Sequence, residues 1–91
     1  MEDIYCVHEQ KFLKAGDSIK ITVDCPCRIM VMDDYNFLRY KEGSPFYNLI
    51  QNNKLLSVVV TVDTDANWNT VIDLYSDGGA INHSISYITL N

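Results

Sequence analysis

The stretch Trp68-Asn69-Thr70-Val71-Ile72-Asp73-Leu74-Tyr75 decides the fold. In an extended chain successive side chains point to opposite faces. Trp68, Thr70, Ile72 and Leu74 then share one face, and Asn69, Val71, Asp73 and Tyr75 the other. Turn material flanks the run, Asp63 to Asn67 before it and Ser76-Asp77-Gly78-Gly79 after it. The stretch reads as a central strand whose tryptophan, the only one in the chain, anchors the core. Asp73 is a charge in an otherwise apolar run. Its parity places it, with Asn69, on a solvent face or against a turn backbone rather than in a catalytic role.

Upstream, Ser18 to Asp24 is the clearest half-buried strand, with Ile19, Ile21 and Val23 alternating with polar residues. Cys25-Pro26-Cys27 is expected to end it, because proline cannot donate to a ladder. Ile29, Met30, Val31 and Met32 then make a run that is apolar on both faces. One face belongs to a core, and the other needs cover from the segment that follows.

That segment, Asp33 to Gly43, is the one helix expected, near residues 34–42. Asp33 or Asp34 can cap its start and Gly43 its end. Phe37, Leu38 and Tyr40 form its apolar side. A helix this short is not stable alone, so it should dock, and Met30 and Met32 are the expected surface. After Ser44-Pro45, residues Phe46 to Ile50 return as a strand or extended loop. Gln51-Asn52-Asn53 is a turn, and Lys54 to Val62 is a strand with Leu56, Val58, Val60 and Val62 on one face. At the chain ends, Ile4 to His8 is a first strand and Glu9 to Asp17 a connection. Ala80 to Leu90 is a last strand following a hairpin turn at 76–79, with a bulge expected near Tyr87 where its apolar parity switches. About seven short strands separated by turns indicate an antiparallel sandwich or barrel.

Ninety-one residues, 47% of them apolar, suffice for one domain with a modest core and exclude intrinsic disorder. No apolar run is long enough to span a membrane. The acidic opening Met1-Glu2-Asp3 lacks the basic region of a secretory signal, which makes the cytoplasm the expected compartment. A net charge of −5 disfavours nucleic acid and anionic membrane as partners. Three cysteines in such a compartment should be free thiols.

The runs Leu13-Lys14-Ala15-Gly16-Asp17, Val31-Met32-Asp33-Asp34 with Asn36-Phe37 and Tyr40-Lys41, and Trp68-Asn69-Thr70-Val71-Ile72-Asp73-Leu74 together form a pattern. In that order and spacing they resemble short bacterial proteins catalogued as a domain of unknown function (number eighteen eighty-three of that series). The match runs from about His8 to the C-terminus. The resemblance implies a sandwich of jelly-roll type with a short helix after the third strand. It also implies a domain found alone or fused to Toll/interleukin-receptor domains, hence a link to bacterial immune signalling. It assigns no catalytic residues. The chain departs from the pattern at Asp65-Ala66-Asn67, where the family usually has proline and glycine, and at Tyr75-Ser76, where it usually has two glycines.

Three constellations could carry chemistry. Cys6, His8, Cys25, Cys27 and His83 are metal-ligand types, but Pro26 leaves one residue between the paired cysteines, closer than zinc motifs use. Buried thiols and an ordinary polar histidine are the simpler reading, and no metal or other cofactor is expected. Cys6, His8 and Asp73, or His83 with Ser84 and Ser86, supply the residue types of nucleophilic catalysis without a matching signature. No enzyme is expected. The third is the surface Tyr35, Arg39, Tyr40, Lys41, Phe46, Tyr47 and Asn48, where aromatic rings and cations suit a protein partner or a flat anionic ligand.

The expectation is therefore an all-β single domain over residues 1–91, a jelly-roll-like antiparallel β-sandwich of about seven strands with one short helix. Its core should comprise Ile19, Ile21, Val23, Ile29, Val31, Leu56, Val58, Val60, Trp68, Ile72 and Leu74. Its function should be non-enzymatic binding of a protein partner or of itself as a homo-oligomer, through the helix-bearing side. Binding or sequestering a nucleotide-type signal in phage–bacterium immune signalling is the alternative. A small metal-binding protein or hydrolase is the second alternative.

Overall fold

The computed structural model describes residues 6–50, 55–73 and 82–90. In chain order these form β1 (Cys6–Leu13), β2 (Ser18–Asp33), α1 (Asp34–Glu42), β3 (Leu55–Thr61), β4 (Ala66–Asp73) and β5 (His83–Ile88). The organising element is β2, sixteen residues long. Its first half, Ser18–Val23, lies between β3 and β5, and its second half, Arg28–Asp33, pairs with β4, which in turn pairs with β1. All pairings are antiparallel. The result is two sheets, β5-β2-β3 and β1-β4-β2, that share one strand and fold over a common core. It is the expected all-β sandwich with one short helix.

Two expected strands, 18–24 and 28–32, are thus one. Proline was expected to end the ladder, but the register with β3 is interrupted between Thr22 and Cys27. The missing donor of Pro26 falls inside that interruption. There β2 leaves one sheet and enters the other, a common use of an irregularity at a sheet corner. The segment 46–50 is an extended loop, not a strand. These two changes leave five strands in the described residues. β1 reaches to Leu13, so Glu9-Gln10-Lys11 is ladder rather than connection.

Among the described residues β5 does not pair with β4. It crosses to the other sheet and pairs with β2 from Ser18↔Ile88 to Val23↔His83, without a bulge at Tyr87. The expected turns at 51–53 and 76–79 lie outside the described residues.

Between the sheets, Ile19, Ile21, Val23, Ile29, Val31, Val60, Trp68 and Ile72 are buried as expected, and Val58 packs partly against them. Trp68 donates its indole N–H to the Thr64 carbonyl at 3.0 Å, which satisfies its one polar atom. Leu56 is a correction, being 51% exposed. It falls in the gap between the pairs Thr22↔Ser57 and Cys27↔Leu55, where β2 bends away and leaves it without a covering neighbour. Leu74 lies outside the described residues.

The other face of β4 is also a correction. Asn69 and Val71 are fully buried and Asp73 half-buried, because α1 covers that face rather than solvent. Among the described residues no helix is long and apolar enough to cross a membrane.

At one end the chain is stapled by Asp17. Its carboxylate accepts from the backbone N–H groups of Lys14 (2.9 Å) and Leu90 (3.0 Å). Those donors, Leu90 first, hold its pKa below the ordinary 3.8. Gly16 turns at φ 99°, a backbone conformation that favours glycine; the Cβ of another residue would also have to displace the end of the exposed Leu90 side chain.

Candidate functional site

The helix-bearing side is built from the sheet upward. Met30, Met32 and Val71 form a second apolar cluster, and Phe37, Tyr40 and Phe46 pack against it. This is the docking surface expected from the doubly apolar run. Phe37 lies over His8 with ring centroids 4.1 Å apart, and the Tyr40 ring meets Phe46 edge-on at 5.3 Å. Asp33 caps α1, accepting from Asn36 N at 3.0 Å, and Gly43 ends it in a left-handed turn at φ 79°. Ser44 N–H closes that turn onto the Arg39 carbonyl at 2.9 Å. Arg39 and Lys41 in the last turn oppose the negative end of the helix dipole.

Beneath the first turn lies a polar hub that periodicity did not reveal. The Asp34 carboxylate accepts from Gln10 Nε2 (2.8 Å), Asn69 Nδ2 (2.9 Å) and Asn67 Nδ2 (3.3 Å). The Asn69 amide nitrogen also donates to the Met32 carbonyl at 3.3 Å, so its Oδ1 faces His8 Nε2 at 2.8 Å. Since Asn69 presents only an acceptor there, His8 must carry its proton on Nε2. Asn69 foremost, then Gln10, Asn67 and the proximity of His8, hold the Asp34 pKa below 3.8 against the opposing pull of desolvation. The hub joins β1, β4 and α1 and fixes how the helix sits. The sequence signal for it was Asn69, an amide on the same parity as the docking face.

The loop after α1 is also anchored. Asn48 Oδ1 accepts from Val31 N (2.9 Å) and Ile50 N (3.1 Å), and Leu49 N donates to the Val31 carbonyl at 2.9 Å. These bonds cover the edge of the second half of β2. Tyr47 N donates to Asn36 Oδ1 at 2.8 Å, which ties the loop to the helix.

The seven residues expected at the surface therefore divide. Tyr40 and Phe46 pack the helix, and Asn48 binds backbone. Tyr35 and Tyr47 stand out at 66% and 62% exposure, and Leu38, expected on the packed side, is 52% exposed. Arg39 lies over the Tyr35 ring at 5.6 Å and donates its Nε–H to the Pro45 carbonyl at 2.6 Å. Lys41 rests over Phe37, its Nζ 4.8 Å from the ring centre.

Of the catalytic and metal candidates, the side chains of Cys6 and Cys25 lie outside the described residues. His8 is engaged by Asn69 and Phe37, whereas His83 lies on β5 in the other sheet. Among the described residues no group of three His, Cys, Asp or Glu side chains could hold a metal ion. Cys27 is buried in the inter-sheet core.

Fold and site together define a small antiparallel β-sandwich with a helix laid on the outer face of one sheet. The chain belongs to the family described as Domain of unknown function (DUF1883), whose model matches residues 4–90. No curated protein and no solved structure matches it.

Proposed function

We propose that the chain is a non-enzymatic interaction module that docks a protein partner through α1 and the loop 44–48. The observation that carries this is the surplus of exposed apolar groups on the helix side. Phe37, Tyr40 and Phe46 suffice to seat the helix on Met30 and Met32. Tyr35, Leu38 and Tyr47 are not used for that purpose and face outward. Interface hot spots favour tyrosine and arginine, and the Tyr35 ring and Pro45 carbonyl hold Arg39 between them, which lowers the entropy lost when it is bound.

A helix crest is convex, whereas small-molecule sites are concave. The arrangement thus favours a protein surface over the nucleotide-type ligand also expected from Arg39 and Lys41. The family's implied association with immune-signalling domains is compatible with a docking role and adds no residue to it.

Site-specific photocrosslinking in the native cell tests the proposal. A photoreactive side chain at position 38 or 47 should give one discrete adduct, which Arg39→Ala weakens, while a probe at Thr22 on the opposite sheet gives none. Equal labelling from all three positions, or none from any, would refute it. A rise in melting temperature with nucleotides that is lost in Arg39→Ala/Lys41→Ala would favour the small-ligand reading instead.

A further inference from the structure

The sheet edges of this sandwich are not treated alike. β1 is the outer strand of its sheet, and it carries Glu9 and Lys11, charges that discourage edge pairing. Both are also engaged across the sandwich: the Tyr87 hydroxyl donates to Glu9 Oε1, and Lys11 Nζ lies 5.5 Å from the centre of the Tyr87 ring. The opposite edge of that sheet, Arg28–Asp33, is covered by Asn48 and Leu49. β5 is held at both ends, by Asn82 on Asp24 and by Leu90 on Asp17, and its outward positions are Ser84, Ser86 and Ile88.

β3 is different. Its seven residues, Leu-Leu-Ser-Val-Val-Val-Thr, contain no charge, proline or glycine, and it pairs only with β2 among the described residues. Leu56 and Val59 on it are 51% and 56% exposed.

We propose that β3 is the self-association edge of this protein, pairing antiparallel with β3 of a second copy about a two-fold axis near Val58. An antiparallel edge is self-complementary under such an axis, so it closes as a dimer instead of growing into a filament. Ser57 would then lie opposite the partner's Val59, and Leu56 opposite the partner's Val60. The stripe Leu56, Val58 and Val60 would meet its own copy, and the exposed Leu56 would gain the neighbour that the bend in β2 denies it. Charge selects this edge as well. Two copies that each carry −5 repel, and an uncharged strand lets them meet without placing like charges in contact. β5, also uncharged, would bury two serine hydroxyls, Ser84 and Ser86, beside its single exposed Ile88, where β3 buries one, Ser57, among leucines and valines. The proposal does not depend on the helix-side reading, since β3 lies in the other sheet.

Light scattering with size-exclusion chromatography, from micromolar to millimolar protein, tests it. The chain should reach twice its 10.4 kDa mass. Leu56→Lys/Val59→Lys, placed at positions exposed in the monomer, should return it to the single-chain mass with the near-ultraviolet signal of Trp68 retained. Ser84→Lys/Ser86→Lys on β5 should leave the dimer intact. Should the first variant fail to fold, hydrogen exchange on the unmodified chain decides: amides of residues 56–60 should gain protection as concentration rises. A chain that stays at single mass throughout, or a dimer broken by the β5 variant but not by the β3 variant, overturns the proposal. So does protection at 56–60 that is independent of concentration.

Discussion

The outer faces of the two sheets contrast within a single strand. On the first half of β2, Lys20 and Thr22 are exposed and Ser18 half-buried, and the strand shows water a polar surface. On the second half the equivalent positions are Met30 and Met32, fully buried under α1. Inward-facing residues are alike in both halves: Ile19, Ile21 and Val23 before the corner, Ile29 and Val31 after it. The inner face therefore says only that there is a core. It is the outer face that says which sheet is covered, and thus where the helix lies.

Three layers follow, and they should lose stability in order. The deepest is the shared core. Trp68→Ala should cost about 3–5 kcal/mol, because the cavity left between two sheets that share β2 cannot collapse freely. Urea denaturation would measure it, and a variant that melts like the parent would mean the indole is not a core anchor.

The sharpest test of the contrast is a matched pair on β2. Met30→Ala removes a side chain held under Phe37, Tyr40 and Phe46 and should cost about 2–5 kcal/mol. Thr22→Ala, on the same strand but the open face, should fall within about 0.5 kcal/mol of zero. Similar losses at both positions would erase the distinction between covered and open faces.

Much of this contrast could be read from residue order. The alternation in Ser18–Asp24 and its replacement by Ile29-Met30-Val31-Met32 announced one solvated face and one covered face, and Asp33 and Gly43 marked the ends of the covering helix. The corner was not legible. Pro26 signals the end of a ladder, and only the three-dimensional path shows the strand continuing through a register shift into a second sheet. Leu56 was misjudged for the same reason, since parity predicts a face but not whether a neighbour extends far enough to cover it. The Asp34 hub was hidden because its members lie far apart in the chain, His8 and Asn69 sixty-one residues apart. Local patterns carry no information about such pairs. Within residues 35–48, the sequence did not separate the rings that seat the helix from those that face outward.

The helix layer itself should be less costly to disturb than the core beneath it. Asp33→Ala removes the cap that accepts from Asn36 N and should cost about 1 kcal/mol. Its effect should be concentrated in α1, so amide exchange should accelerate across residues 35–40 while Ile19 and Ile21 stay protected. Uniform acceleration would mean that helix and sandwich unfold as one unit.

The smallest effect concerns protons. Asp34 has its pKa lowered from 3.8 chiefly by the Asn69 amide. A carboxyl depressed in the folded state contributes stability that is present above its unfolded value and is lost as pH falls through the folded one. Acid should therefore weaken helix docking only below about pH 4, and weakly, because Asp34 is exposed and its interactions are screened. Asn69→Ala should bring the Asp34 titration, followed by side-chain carboxyl NMR, back toward its ordinary value. Asp17 provides the internal control: its pKa is lowered too, but by the Leu90 and Lys14 amides, neither of which belongs to the hub. It should titrate identically in parent and variant. If both carboxyls move, Asn69→Ala has loosened the whole sandwich, and the polar hub is not a local device of the covered face.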